Sequence, residues 1–281
     1  MDLVNTEQAE QWALMAPTWV EMEGRLERTS GAVGRMAMDR LDLRPGERVV
    51  DLGCGTGPTT VELAGRVGPE GRVVGMDIAT AMLDRARQRA AEEGVTNVSF
   101  VHADVQAHQF DEGEFDAAFS RFGVMFYADP VAAFANVRRA LTPAGRLSFV
   151  CWQEALANEW MTLPAMAVMS ATNAPPAMPE PGAPGPFALC DPDRVRSILT
   201  GAGFATVEVT PHNDHVTAEE GDIENFAGSA LRVGAAGRGL KDADDATKQK
   251  AYDATVDALR AKVEGGVVRL ARGVLLASAR A

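Results

Sequence analysis

Long apolar runs are missing from this sequence: no stretch reaches the about eighteen uninterrupted apolar residues that a membrane-crossing helix requires. Its opening, MDLVNTEQAEQW, is acidic and polar rather than basic and then apolar, so neither a secretory signal nor a membrane partner is expected. Cysteine is scarce as well. The three present, Cys54, Cys151 and Cys190, are widely separated and form no C-x-x-C spacing, which disfavours a zinc site or a disulfide framework and suits a reducing cytoplasm. Positive charge is in deficit, with 27 Lys and Arg against 39 Asp and Glu and a formal net charge of −12. A surface of that sign repels phosphate backbones, so nucleic acid is not expected as a partner. The nearest basic cluster, RRALTPAGR over Arg138 to Arg146, reads as a solvated helix end.

What the chain does have is material for a large core: 281 residues, 46% of them hydrophobic. From Glu47 to Val150, short β-branched or aromatic runs alternate with longer helical ones, the pattern of a doubly wound α/β sheet. Strands are predicted at 48–52, 72–77, 98–103, 115–120 and 146–152, several of them apolar throughout as strands covered on both faces should be. Helices are expected from Pro58 to Val67, from Thr80 to Glu93 with Leu83, Ala86 and Ala90 on one face, and from Asp129-Pro130 to about Leu141. Residues 1–45 carry Trp12, Trp19, Met22 and Leu26 at loosely helical spacing and read as an N-terminal helical cap. The core then covers 46–152. A proline-rich insertion follows over 153–190, with NAPPAMPEPGAPGP at 173–186 as an extended connector or lid rim. Residues 191–281 begin with a helix headed by Pro192 and a strand at 204–210, and carry a charged helical insertion over 211–265.

The strongest chemical signal is VVDLGCGTG at 49–57, a buried strand running into Gly53, Cys54, Gly55 and Gly57 and then a helix headed by Pro58. Glycines spaced G-x-G-x-G let main-chain N–H groups approach a ligand with no Cβ in the way. Dinucleotide folds carry G-x-G-x-x-G instead. Asp51, just before the loop, suits the ammonium of an amino-acid moiety, which a pyrophosphate site has no use for. At the next strand end, Asp77 in GMDIA, followed by Ile78, can accept from both hydroxyls of a ribose. At the third, Asp104 can accept from an exocyclic adenine amine while the Val105 N–H serves a ring nitrogen. At the fourth, Ser120, Arg121 and Phe122 face the same crevice.

Over residues 47–152 this set, Asp51, Gly53, Gly55, Gly57, Asp77 and Asp104, resembles the cofactor residues of class I S-adenosylmethionine-dependent methyltransferases. LRPGERVVDLGCGTG, FSRFGVMFYADPVAAFANVRRALTPAGRLSFVCW and FALCDPDRVRSILTGAGFATVEV resemble the broad, functionally mixed bacterial group related to ubiquinone and menaquinone methyltransferases. The resemblance implies a Rossmann-like, mostly parallel seven-stranded sheet completed by an antiparallel last strand, GVLLASAR at 273–280, with helical lid insertions. It also implies S-adenosylmethionine as cofactor and direct displacement of its methyl group by a small-molecule acceptor. Trp152, Trp160, Met161 and Met166 lie in the segments richest in Met and Trp and point to a small apolar or aromatic acceptor.

Among polar candidates for catalysis are Arg121, His212 and His215, although methyl transfer can run on positioning alone. Cys54 reads as a small loop residue rather than a nucleophile. His212, Asp214 and His215 read as polar surface rather than a metal site. A homodimer stays open. The alternatives carried forward are a nicotinamide-dependent oxidoreductase, which Asp77 alone would also suit, and a non-catalytic S-adenosylmethionine-binding protein.

Overall fold

The computed structural model describes residues 4–173 and 182–281. In chain order the elements are α1 (Thr6–Glu21), α2 (Glu23–Asp39), β1 (Arg48–Leu52), α3 (Pro58–Val67), β2 (Arg72–Asp77), α4 (Thr80–Glu92), β3 (Val98–His102), β4 (Phe115–Arg121), α5 (Pro130–Ala140) and β5 (Leu141–Trp152). They continue with α6 (Glu159–Thr172), α7 (Pro192–Gly201), β6 (Ala205–Glu219), α8 (Ile223–Ala230), α9 (Gly234–Leu240), α10 (Asp245–Arg260), β7 (Val263–Glu264) and β8 (Val267–Arg280). The sheet order is β3-β2-β1-β4-β5-β8-β6, with β7 paired to β8 off that path. Strands β1 to β5 pair in parallel, and β8 closes on β5 antiparallel, from Arg146 opposite Arg280 to Trp152 opposite Val274. The expected mostly parallel sheet with an antiparallel last strand is therefore present.

The chain divides into two compact units, the first made of residues 1–152, 182–211 and 274–281, the second of 153–181 and 212–273. In the first, the apolar strands are buried on both faces: Val49, Val50, Leu52, Phe119, Phe149 and Val150 are all sealed from solvent. Removing each such side chain from water stabilises the fold by about 1.5–3 kcal/mol before the entropy of ordering is counted. Helix starts follow local chemistry. Asp129 accepts from the Ala132 N–H at 3.0 Å with Pro130 next in line, and Asp191 accepts from the Asp193 N–H at 2.8 Å ahead of Pro192. On α4 the face buried is Met82, Leu83, Ala86 and Ala90. Against it lies α1, whose Ala16 packs with Ala79 and Met82 beneath Trp12, Trp19 and Val20. Trp12 stands edge-on to both Trp19 and Phe126, at 5.2 and 5.1 Å between ring centres. The arginines of the basic cluster face inward in part: Arg139 donates to the Phe110 carbonyl at 2.7 Å, and Arg146 donates to the Leu41 carbonyl and pairs with Glu47, both at 2.6 Å.

The second unit has cores of its own. Val216, Ile223, Phe226, Val256, Leu259, Val268 and Leu270 form one, with Trp160 and Leu163 packed on it, and Val168, Ala171, Leu231, Leu240 and Ala251 form another. Asn158, fully buried, is a polar knot: its amide donates to the Gly273 carbonyl at 3.0 Å and its oxygen accepts from the Gly273 N–H at 3.1 Å. The strands reach further than their sequence suggests. β6 continues to Glu219 and β8 starts at Val267, so the 211–265 stretch begins and ends extended and is helical only from Ile223 to Arg260. Residues 174–181 of the proline-rich 173–186 segment lie outside the described residues; the preceding part of the 153–190 stretch contains α6. Among the described residues no helix is long and apolar enough to cross a membrane, and no cluster of three or more His, Cys, Asp or Glu is arranged to hold a metal ion.

Candidate cofactor site

At the carboxyl end of β1 the chain makes three left-handed turns in five residues, with φ of 69°, 56° and 83° at Gly53, Gly55 and Gly57. Only glycine adopts such a series without strain. The loop folds over the end of β2, where Gly53 and Cys54 donate their N–H groups to the Met76 carbonyl at 2.8 and 3.0 Å. Gly57 then starts α3 with Pro58 as its first residue. A Cβ on Gly57 would lie 2.8 Å from the Cβ of Ala86, so this turn is also fixed by its close approach to α4.

Asp51 is sealed beneath the loop, and one of its oxygens accepts from the hydroxyls of Thr59 and Thr60, each at 2.7 Å. Its other oxygen, Oδ1, is buried with no partner. Leaving such a group unpaired costs roughly 1–3 kcal/mol, more for a charge. Burial pushes the carboxyl pKa up to about 6, against the pull of the two threonines and of Arg121. Asp77, at the end of β2, binds the loop from below: Oδ2 accepts from the Gly55 N–H at 2.8 Å and Oδ1 from the Ala79 N–H at 2.9 Å. Burial raises its pKa too, while the backbone donors hold it down. The Ile78 carbonyl next to it is bonded to the His102 ring at 2.9 Å. The Cys54 thiol is buried, and burial with the two carboxylates raises its pKa well above the ordinary thiol range, which leaves it a poor nucleophile.

Asp104 is buried like Asp51 but differently supplied. Oδ2 accepts from the Val4 and Asn5 N–H groups at 3.0 and 2.9 Å, and the Asn5 side-chain amide donates to Oδ1 at 2.8 Å and Oδ2 at 2.9 Å. The Gln106 N–H adds a bond to Oδ1 at 3.0 Å. The Asn5 oxygen in turn accepts from the Ala128 N–H at 2.7 Å, so one carboxamide ties the start of α1 to the end of β3 and to the loop between β4 and α5. Val105 is buried, and its carbonyl accepts from Asn136 at 2.8 Å. Ser120 stitches β4 to β1, donating to the Leu52 carbonyl at 2.7 Å and accepting from the Gly123 N–H at 3.2 Å. Gly53 and Gly123 meet backbone to backbone, where a Cβ on the former would stand 2.8 Å from the Cα of the latter. Beside this seam Phe122 takes φ of 64°, costly for a bulky side chain, and its ring stacks on Trp152 at 3.8 Å and 10°.

Arg121 turns to α2, where it bonds Glu27 at 2.7 Å. His212 and His215 belong to the second unit. There His212 Nε2 lies 3.4 Å from Asp214 Oδ2, and that carboxylate is gripped through both oxygens by the buried Arg272. Arg272 holds the Asp214 carboxyl below its usual range despite burial. Thr59, Thr60, Asn5 and Tyr127 escape a reading of the sequence. The two threonines could have been found from their place on the first turn after the loop, facing the strand; Asn5 leaves no local signal, being 99 residues from its partner.

Residues 49–145 match the family described as a methyltransferase domain. Within a shared stretch of 117 residues the chain is 37% identical to the aklanonic acid methyltransferase of a Streptomyces species (strain C5), covering 42% of this chain and 53% of that protein. It is 39% identical over 114 residues to a ubiquinone/menaquinone biosynthesis C-methyltransferase of Ectopseudomonas mendocina, covering 40% and 44%. The chain thus matches about half the length of these relatives. The fold follows the crystal structure of a [4+2]-cyclase, SpnF, with a TM-score of 0.60 at 18% identity over 99% of this chain and 97% of that one. The 49–145 stretch thus matches a methyltransferase domain, and it carries the parallel strands of the Rossmann-like sheet.

Proposed function

We propose that the whole protein transfers the methyl group of S-adenosylmethionine to a small apolar or aromatic molecule by direct displacement. The observation that carries this reading is the unpaired, buried Oδ1 of Asp51 beside a loop of three left-handed glycines: an acceptor to which the described residues bring no donor. That chemistry fits the cationic ammonium of the cofactor's amino-acid part. The proposed cofactor residues are Asp51, Gly53, Cys54, Gly55, Gly57, Asp77, Ile78, Asp104, Val105 and Ser120, with Asp51 for the ammonium and Asp77 for the ribose. When bound, the cofactor supplies an electrophilic methyl group whose departure leaves a neutral thioether.

The protein's own task is alignment and exclusion of water, which can be worth effective molarities of roughly 10⁵ M or more. Ser120 and the Gly53–Gly123 contact fix the loop after β4 against the glycine loop, and so fix the Phe122–Trp152 slab relative to the cofactor cradle. A flat apolar wall so placed suits a planar acceptor. The relatives' names, an aklanonic acid methyltransferase and a ubiquinone/menaquinone biosynthesis C-methyltransferase, support a small-molecule acceptor. Arg121, His212 and His215 are not general bases in this account. An acidic surface supports a small molecule rather than a nucleic acid as acceptor, and three free cysteines support a reducing cytoplasm. Calorimetry with S-adenosylmethionine, its demethylated product and NAD tests the reading. Micromolar-range binding of the first two and much weaker NAD is expected; equal binding of NAD would overturn it.

A further inference from the structure

Among the described residues two buried side-chain polar atoms have no hydrogen-bond partner, and the second is the phenolic oxygen of Tyr127. Tyr127 lies between β4 and α5, on the loop that leaves the carboxyl end of β4. Its chain neighbour Ala128 donates to Asn5, which donates to Asp104, so the loop is tied to the end of β3 at the place where Tyr127 leaves it. The ring is held edge-on to Phe134 at 5.8 Å, and Phe134 is itself stacked on Phe149 at 5.4 Å within the core. The residue as a whole is half-buried, and its hydroxyl end is the part sealed from water. Both Asp104 and Asp77 act on the phenol electrostatically and, with burial, raise its pKa far above neutrality, so it stays a protonated donor.

Resting on the cofactor reading above, we infer that Tyr127 is a cofactor-binding residue whose hydroxyl donates a hydrogen bond to the adenosyl half of S-adenosylmethionine. Its neighbours fit that division of labour. Asp77 is an acceptor only, suited to the hydroxyl protons of an adenosine, whereas the ring nitrogens and ribose oxygens of the same group need a donor. Tyr127 supplies one from the β4 side. The assignment gives the loop after β4 a share in holding the cofactor as well as in lining the acceptor side.

Tyr127→Phe removes the hydroxyl and keeps the ring contacts. Two probes, S-adenosylhomocysteine and 5′-methylthioadenosine, which lacks the amino-acid part, are titrated into wild type, Tyr127→Phe and Asp51→Asn. Tyr127→Phe is expected to weaken both probes by about 5- to 30-fold, and Asp51→Asn only the first. Ligand-free Tyr127→Phe should melt no lower than wild type, because the lost hydroxyl had no partner, while its thermal shift on adding S-adenosylhomocysteine shrinks. Unchanged affinity of Tyr127→Phe for both probes would overturn the assignment, as would a lower ligand-free melting point at unchanged affinity, the mark of a hydroxyl satisfied by structural water. Failure of wild type to bind either probe would instead overturn the cofactor reading itself.

Discussion

Asp51 and Asp104 are both buried carboxylates near the carboxyl ends of parallel strands, yet one is short of partners and the other is full. Asp51 keeps an oxygen unpaired, whereas both oxygens of Asp104 are taken by the Val4, Asn5 and Gln106 donors. The β1 end therefore keeps acceptor capacity for a ligand, and the β3 end has given its capacity to the chain's own N-terminal segment. Two residues of one chemical type, at like positions in the sheet, thus stand in different relations to a cofactor. Asp77 lies between them, bonded to Gly55 and Ala79 but through one donor per oxygen, so each oxygen can still accept another.

This contrast orders the effects of mutation. Asp77→Ala should weaken S-adenosylhomocysteine binding most, by about 2–4 kcal/mol, because it removes acceptors for two hydroxyls and releases the Gly55 N–H that holds the loop. Calorimetry gives the number; an unchanged affinity would move the ribose elsewhere. His212→Ala and His215→Ala should each lower turnover by less than about tenfold, if transfer runs on positioning. Single-turnover rates across a range of pH with an identified acceptor decide this, and a loss approaching 10³-fold, with disappearance of an inflection in the pH-rate profile, would make that histidine a base. The smallest effect is expected at Asn5. Its carboxamide gives Asp104 an N–H₂ donor and takes an N–H from Ala128, the same donor and acceptor pairing that an adenine edge presents. Asn5→Ala should free Asp104 and tighten cofactor binding by about threefold, while lowering ligand-free stability by roughly 1 kcal/mol. Weaker binding would mean that the carboxamide completes the site.

Much of the β1 end was legible because its logic is local. Alternating apolar strands, G-x-G-x-G and a proline at the helix start lie within twenty residues and specify one another, so Asp51, the three glycines and Asp77 could be placed at strand ends from spacing alone. The β3 end was legible only as far as Asp104 itself. What surrounds that carboxylate arrives from the far end of the chain, and no periodicity connects Asn5 to it. Tyr127 was visible as part of a loop, but its orientation depends on Phe134 and on the path of α5. The extension of β6 to Glu219 was hidden for another reason. PHNDHVTAE has almost no apolar alternation, since β6 is the last strand in the sheet order and much of this stretch is exposed.

The unpaired oxygen of Asp51 is most directly tested by the pH dependence of S-adenosylhomocysteine binding to wild type and Asp51→Asn. With a carboxyl pKa of about 6, the ligand-free protein ionises Asp51 as pH rises through that value, at a cost in stability relative to the unfolded chain, whose carboxyl ionises at about its ordinary 3.8. Asp51→Asn should accordingly melt above wild type at neutral pH and lose that advantage near pH 4. The cofactor's ammonium favours the ionised form, so wild-type affinity should fall as pH is lowered through about 6, and Asp51→Asn should keep only the part of that fall due to Asp77, whose pKa is raised as well. Parallel profiles for the two proteins, with equal affinity at neutral pH, would contradict the account.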